Sequence, residues 1–219
     1  MTKTLQFLLG FTCIIPSIIG LFKLKKIEKK YHPFIYMIVA DFLIEAINFL
    51  GKYVFEIKHP FQFIFNFYLF IYFYFFMKLA YLNNFITKKT RNILLFLWLI
   101  VAIFNTILIG GCNDVFRIVL VFSASTILYI YTNILSVQVL EINIKITKNF
   151  WFWASSFSIL YNAFLILLFN LVFFSFAKTP NGRAILNIHY YINAITYIVF
   201  TYAICIIPQK ISFNKPIKR

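Results

Sequence analysis

Two carboxylic acids lie within the second long apolar segment of the chain. Asp41, Glu45 and Asn48 are separated by four and then three residues, so in a helix they share one face. A charged side chain at the centre of a membrane helix costs at least about 2.5 kcal/mol, and such groups therefore face the interior of a helix bundle. The stripe indicates either a proton-titrating or cation-binding pair, or a neutral, hydrogen-bonded element of the packing.

Asparagines recur at a matching depth in other apolar segments. With a rise of 1.5 Å per residue, four amides on four helices are predicted at one level, about 6 Å outward of the bilayer midplane. These are Asn48, Asn66, Asn105 and Asn193. Further polar stripes recur at helical spacing: His189 and Asn193; Ser155, Ser158 and Asn162; Ser125, Tyr129 and Asn133.

These polar residues predict a pocket between helices that opens outward and has Asp41 and Glu45 at its floor. The alternative is hydrogen bonding between helices with no cavity. The candidate pocket residues are Asp41, Glu45, Asn48, Asn66, Asn105, Asn162, His189 and Asn193.

Motifs of membrane enzymes are missing from the sequence. Asp41 is the only aspartate in a predicted span, whereas an intramembrane aspartyl protease needs two, and no serine lies in a GxSxG motif. The stretch HYYIN, from His189 to Asn193, fits the HxxxN pattern of membrane glutamate-type peptidases, but their double-glutamate motif is absent. The last apolar segment has no lysine that could bind retinal. The sequence therefore predicts a protein that is not an enzyme.

The cysteines and histidines also predict no metal site and no cofactor. The three cysteines show no CxxC spacing, and the three histidines are scattered over both sides of the predicted membrane. These residues are Cys13, Cys112, Cys205, His32, His59 and His189.

The composition indicates that the protein lies in a lipid membrane. Hydrophobic residues make up 62% of the 219 residues and charged residues only 12%, whereas soluble domains are about half apolar and a quarter charged. About 20 apolar residues cross the hydrocarbon core as a helix. We predict an all-α bundle of seven transmembrane helices that forms one domain over residues 1–219. The predicted spans are 5–22, 34–54, 61–82, 92–109, 115–140, 150–176 and 185–207.

Two segments have unusual sequences for a membrane helix. Between Phe61 and Phe76, 11 of 16 residues are Phe or Tyr, and the first of them alternate as in a strand. A helix is predicted nevertheless, because the neighbouring segments are too long for barrel strands and are apolar on every face. In the first segment, Pro16 is predicted to kink the helix.

Lysine and arginine residues set the predicted orientation, because they concentrate on the cytoplasmic side of membrane proteins. One set of loops holds fourteen: Lys23, Lys25, Lys26, Lys29, Lys30, Lys88, Lys89, Arg91, Lys145, Lys148, Lys210, Lys215, Lys218 and Arg219. The opposite set holds six: Lys3, Lys52, Lys58, Arg117, Lys178 and Arg183. The amino terminus is therefore predicted outside and the carboxyl terminus in the cytoplasm. Attraction to anionic lipid head groups explains the net charge of +15 without a nucleic-acid partner.

Four stretches of the sequence carry a resemblance to a known family. They are KKYHPFIYMIVADFLIEAINFL, HPFQFIFNFYLFIYFYFFMKL, FWFWASSFSILYNAFLILLFN and LNIHYYINAITYIVFTYAI. With anchors at Glu45, Tyr161 and His189, the chain resembles a family of small seven-helix inner-membrane proteins of Bacteroidota. The resemblance implies a multi-pass protein of the bacterial inner membrane and supplies no activity.

The sequence supports two functional hypotheses. The first is a non-enzymatic sensor or interaction subunit of the inner membrane that binds a small ligand, or a helix of a partner membrane protein, in the polar pocket. The alternative is a proton-coupled secondary transporter of a small solute that uses Asp41 and Glu45.

Overall fold

Backbone groups in lipid have no water to bond with, and the long apolar segments satisfy them by forming helices. The computed structural model describes residues 3–51, 62–109, 117–141, 146–173 and 179–209. Within these ranges the α-helices are α1 (Lys3–Gly10), α2 (Ile14–Lys23), α3 (His32–Phe49), α4 (Gln62–Leu82), α5 (Lys88–Ile109), α6 (Arg117–Glu141), α7 (Phe150–Phe173) and α8 (Pro180–Ile206). Short 3-10 helices cover Phe11–Cys13, Lys29–Tyr31 and Ile146–Lys148.

Six helices, α3 to α8, are long and apolar enough to cross a membrane. In the described ranges no β-strand is found, and the only β-type pairing is an isolated antiparallel bridge between Ile27 and Gln209. The prediction of an all-helical, multi-pass membrane protein is confirmed. Parts of four predicted spans lie outside the described residues, namely 52–54, 61, 115–116 and 174–176.

The aromatic segment is a helix, α4, as predicted. The aromatic residues that alternate at the start of this segment do not form a strand. The residues after them continue the aromatic run without alternation, and every face of the helix meets either another helix or lipid. Phe73 and Phe76 are completely buried, and the ring of Phe76 lies 4.9 Å from that of Tyr131 on α6. Phe67 is 58% exposed on the outer surface of the bundle.

The first predicted span is interrupted, because a 3-10 turn over Phe11–Cys13 separates α1 from α2. Pro16 has no N–H to donate to the carbonyl of Thr12, so the regular helix loses a bond in this turn. The N–H of Ile14 bonds to the carbonyls of Phe11 and Thr12. Thr12 donates its hydroxyl to the carbonyl of Leu9 at 2.7 Å, and Cys13 donates its thiol to the carbonyl of Gly10 at 3.3 Å. The irregularity thus lies in the turn before Pro16.

A face of small residues brings α2 close to α3. Ser17 donates its hydroxyl to the carbonyl of Cys13 at 2.7 Å and to that of Ile38 at 3.1 Å, so one side chain bonds both helices. One turn further, a Cβ atom added to Gly20 would lie 2.8 Å from the Cγ2 of Ile35. Small residues at helix spacing allow such close backbone packing in membranes, where the hydrophobic effect contributes little between helices.

The ends of several helices are joined on one side of the bundle. The ammonium group of Lys23, at the end of α2, donates to the carbonyls of Ile204 and Cys205 at 3.3 and 2.8 Å. These carbonyls belong to the last turn of α8, which has no intrahelical donors and attracts positive charge. Asn83, just after α4, donates to the carbonyl of Lys30 at 3.1 Å. The loops at this side therefore fix the helices relative to one another.

Aromatic rings pack beneath the same loops. The ring of Tyr31 lies 5.2 Å from that of Phe150, and Phe34 lies 5.0 Å from Phe150 on its other side. Phe85, in the loop after α4, contacts Trp151 at 4.7 Å between ring centroids. Basic residues from the larger predicted set lie in or beside the loops on this side: Lys23, Lys25, Lys26, Lys29, Lys30, Lys88, Lys89, Arg91 and Lys148. We call this side the basic end. The remaining members of that set, Lys145, Lys210, Lys215, Lys218 and Arg219, lie outside the described residues.

Local signals in the sequence explain where α4 ends and α5 begins. Asn84 adopts a left-handed conformation with φ 61°, which asparagine tolerates better than most residues, and the N–H of Phe85 bonds back to the carbonyl of Ala80 at 2.9 Å. The hydroxyl of Thr87 then accepts the N–H of Thr90 at 3.1 Å and caps the first turn of α5.

Helix α5 lies at the edge of the bundle. It packs on α4 and α6 and is the least buried of the six candidate spans. Trp98 donates its indole N–H to the hydroxyl of Ser123 at 2.9 Å, and Asn105 accepts the N–H of Ile118 at 3.0 Å. The second bond caps the start of α6. The opposite face of α5 is apolar and exposed, as expected of a helix surface that meets lipid.

The close contact between α2 and α3 generates the first prediction. Gly20→Leu is expected to lower the free energy of unfolding by about 1–3 kcal/mol, because the new side chain must displace Ile35. Ile18→Leu is the matched control, since Ile18 lies two residues away and is 46% exposed. Thermal unfolding of both variants in detergent checks the prediction. Equal midpoints for the two variants would contradict the packing described here.

Candidate functional site

A cavity of about 170 Å³ lies between α3, α4, α6, α7 and α8. It is slightly larger than an apolar protein cavity of about 150 Å³ that can hold benzene. Six of the eight residues predicted for a pocket line it: Asp41, Glu45, Asn48, Asn162, His189 and Asn193. The structure therefore brings most of the candidate set together around one cavity.

The cavity occupies the half of the bundle away from the basic end. Helix α3 starts at the basic end, and the distance along its axis from His32 to Asp41 is about 14 Å at 1.5 Å per residue. Glu45 and Asn48 follow at one-turn intervals on the same face, further from the basic end. Of these three residues Asp41 therefore lies nearest the basic end.

The carboxyl group of Asp41 is held by tyrosines from neighbouring helices. Asp41 is only 6% exposed, and Tyr68 on α4 donates its hydroxyl to Oδ1. The hydroxyl of Tyr197 on α8 approaches the same carboxyl group. Tyr72 and Tyr161 also line the cavity. Phenol hydroxyls thus replace the water that would solvate a carboxyl group at a protein surface.

Sequence reasoning missed these four tyrosines. A signal for one of them was present, because Tyr197 continues the spacing of four residues that relates His189 to Asn193. Tyr68 and Tyr72 are also four residues apart. They were hidden in the aromatic run of α4, where most rings serve as ordinary packing.

Glu45 has a different environment from Asp41. It is half-buried, and it makes no hydrogen bond or ion pair with any other described residue. A Cβ atom added to Gly10 would lie 3.8 Å from Oε2 of Glu45, so the end of α1 passes beside this carboxyl group. In the described ranges the only ion pair joins Lys30 to Glu28, at the basic end. Glu45 is therefore free to interact with a molecule that enters the cavity.

Helix α8 contributes two polar side chains with atoms that lack partners among the described residues. The His189 ring lies near the rings of Tyr161 and Phe164, with centroid distances of 6.1 and 6.2 Å. Its Nδ1 atom has no hydrogen-bond partner among the described residues, and neither has Oδ1 of Asn193, which is only 5% exposed. Buried polar atoms are rarely left unbonded in folded proteins. The cavity therefore has unused hydrogen-bonding capacity.

Asn66 and Asn105 do not line the cavity, although they were predicted to lie in one layer with Asn48 and Asn193. Asn66 is buried at the side of the face of α4 that lines the cavity, about 100° around the helix from Phe65, and is not among the lining residues. Asn105 is buried against the start of α6, because α5 lies outside the ring of helices that encloses the cavity. The prediction was wrong for these two residues, since equal depth does not place side chains on facing surfaces.

The polar stripe on α6 does not line the cavity either. Ser125, Tyr129 and Asn133 line an open groove of about 690 Å³ between α5 and α6, and Tyr129 is 67% exposed. Helix α6 instead lines the cavity with another face, which includes Ser123 and Ile127. The expectation that this stripe belongs to the central pocket was wrong, because α6 is apolar on several faces and its rotation cannot be read from spacing alone.

The His, Cys, Asp and Glu side chains do not form a metal centre in the described part of the chain. There, no group of three or more His, Cys, Asp or Glu side chains is placed to hold a metal ion. Cys13 is buried near α3, and Cys205 is exposed at the basic end. Cys112 and His59 lie outside the described residues.

Comparison with known proteins finds no matching family model, no match among curated proteins and no match among solved structures.

The bond between Tyr68 and Asp41 generates the second prediction. Tyr68→Phe is expected to lower the free energy of unfolding by about 1–3 kcal/mol, because it removes a donor from a buried acceptor. The control is Tyr74→Phe, on the same helix but 40% exposed. Thermal unfolding in detergent measures both effects. If the two variants lose the same stability, the bond to Asp41 does not stabilise the bundle.

Proposed function

We propose that the chain is a seven-span protein of the bacterial inner membrane that acts as a sensor or interaction subunit, and that it binds a small ligand in the central cavity. The observation that carries the proposal is a cavity between the helices that is lined by carboxyl, amide and imidazole side chains, in which buried polar atoms have no partner among the described residues. Bound ligand groups would satisfy these atoms. The proposal assigns no catalytic step.

The proposed topology includes α1 and α2 as one irregular crossing. The helical run from Lys3 to Lys23 is about 30 Å long at 1.5 Å per residue, which matches the hydrocarbon thickness of a bilayer. With this crossing the chain spans the membrane seven times. The concentration of lysine and arginine at the basic end supports a cytoplasmic location for that end, with the amino terminus outside. The cavity lies nearer the outer side in this orientation.

The groove between α5 and α6 supports the second part of the proposal, an interaction with another membrane protein. Tyr129 and Asn133 lie near the middle of α6 and are exposed on the surface of a membrane-spanning helix. Lipid tails offer no hydrogen bonds to such groups, whereas a helix from a partner protein does.

Access to the cavity provides the third prediction. In a variant in which Cys13, Cys112 and Cys205 are replaced by serine, Asn193→Cys is expected to react with a small, membrane-impermeant thiosulfonate added outside intact cells. The control is Ala203→Cys on the same helix, because Ala203 is completely buried near the basic end. Faster labelling at position 193 supports an outward-opening cavity. Labelling at 193 only from the cytoplasmic side would contradict the proposed orientation.

A second candidate function is proton-coupled transport of a small solute. It is favoured by the two carboxyl groups of Asp41 and Glu45, one helical turn apart in a cavity that is lined by no lysine or arginine among the described residues. Membrane carboxyl groups of this kind occur in proton relays. A transporter must also open the cavity to both sides.

The fourth prediction separates the two functions. Proteoliposomes with a pH-sensitive dye inside are challenged with panels of small amines, alcohols and carboxylates at constant external pH. A sensor is expected to leave the proton flux equal to that of protein-free liposomes. Protein-dependent flux that is lost in Glu45→Gln, but kept in Glu28→Gln, would instead establish transport. Glu28 is a matched control because it lies in a loop and pairs with Lys30.

A further inference from the structure

We propose that the ligand of the central cavity is a small primary alkylammonium ion. This inference depends on the proposed function, because it assumes that the cavity binds a ligand, and it adds the chemical class. It follows from the charge of the cavity, its unpartnered acceptors, its aromatic walls and its size.

The charge of the cavity is the first argument. Asp41 and Glu45 contribute two carboxyl groups, and no lysine or arginine lines the cavity among the described residues. The other titratable groups that line it are His189 and the hydroxyls of Tyr68, Tyr72, Tyr161 and Tyr197. A carboxyl group in a membrane bundle is stabilised in its ionised form by a positive partner. Lys23 cannot serve, since it is bonded to the end of α8. A cationic ligand supplies the missing charge.

The unpartnered atoms are a second and independent argument. The side chain of Asn193 lines the cavity and is only 5% exposed. Its Oδ1 has no hydrogen-bond partner among the described residues. This oxygen can only accept hydrogen bonds. Oδ1 of Asp41 already receives a bond from Tyr68, while Glu45 receives none from the described residues. A primary ammonium group has three N–H donors, which matches a cavity that is rich in acceptors.

The walls fit the same chemistry. Tyr68, Tyr72, Tyr161 and Tyr197 bring four electron-rich rings to the cavity surface. The faces of such rings attract cations, and they do so more strongly in sites without water. Ionised carboxyl groups of Asp41 and Glu45 would repel an anionic ligand. The walls therefore select against carboxylates and phosphates.

The volume separates an organic cation from a metal ion. About 170 Å³ is similar to the space that benzene occupies in a protein cavity and far exceeds one bare alkali ion. Apolar side chains such as Ile44, Leu69 and Ile127 also line the space. A short alkyl chain attached to the ammonium group would fill this part and contact these side chains.

The experiment uses the full-length protein in detergent and measures thermal unfolding with butylammonium chloride, butanol, butyrate and potassium chloride at fixed pH and ionic strength. Butylammonium is expected to raise the melting temperature in a saturable manner, and the other three compounds are not. Glu45→Gln is expected to weaken butylammonium binding roughly 10- to 100-fold, the usual effect of losing a charge-assisted hydrogen bond. Glu28→Gln, the matched control, should bind as the unchanged protein does.

A second measurement follows protection from labelling in the background without native cysteines, at a cavity position that offers no hydrogen bond to the ligand. Butylammonium is expected to slow the labelling of Ala124→Cys, which lines the cavity, and to leave the labelling of an exposed position, Ile198→Cys, unchanged. Stabilisation and protection by butanol or butyrate alone would overturn the ammonium inference and keep the proposed binding function. Absence of labelling at position 193, together with no stabilisation by any compound, would overturn both the ammonium inference and the proposed binding function. An equal loss of binding in Glu45→Gln and Glu28→Gln would show that surface charge binds the cation and would overturn the inference.

Discussion

A polar group inside the hydrocarbon of a membrane has no water to bond with, and the structure depends on this constraint throughout. It makes the long apolar segments helical, since a helix bonds its own backbone. It also explains the irregular first span, where the Pro16 turn cannot form every helical bond and the side chains of Thr12 and Cys13 bond to carbonyls. Where α6 begins, the amide of Asn105 caps a backbone N–H that has no partner in its own helix.

The same constraint organises the centre of the bundle. The carboxyl group of Asp41 would be costly if it faced lipid, and it instead meets tyrosine hydroxyls from α4 and α8. These partners require the three helices to surround one point. On another face of α3, Ile35 and Ile38 meet the small residues of α2. Close packing on one side and polar contacts on the other thus fix both the position and the rotation of α3.

The cavity and the groove differ in how their polar groups are placed. In the cavity, polar side chains from α3, α7 and α8 line one space between the helices. In the groove, Tyr129 and Asn133 are exposed on an outer surface beside α5. Both places have polar groups that the described protein leaves without partners. A small molecule suits the cavity, and a second membrane helix suits the open groove.

Much of the fold could be predicted from the sequence because its causes are local. Composition and segment length determined the helical membrane class, and spacing placed Asp41, Glu45 and Asn48 on one face of α3 and His189 and Asn193 on one face of α8. Only the tertiary structure decided which faces meet. The segments are apolar nearly all round, so hydrophobic pattern does not determine the rotation of a helix. Asn66 and Asn105 consequently lie away from the cavity, and the stripe on α6 faces outward. The tyrosines around Asp41 also emerged only in the structure, because hydrogen bonds between distant segments depend on how whole helices pack.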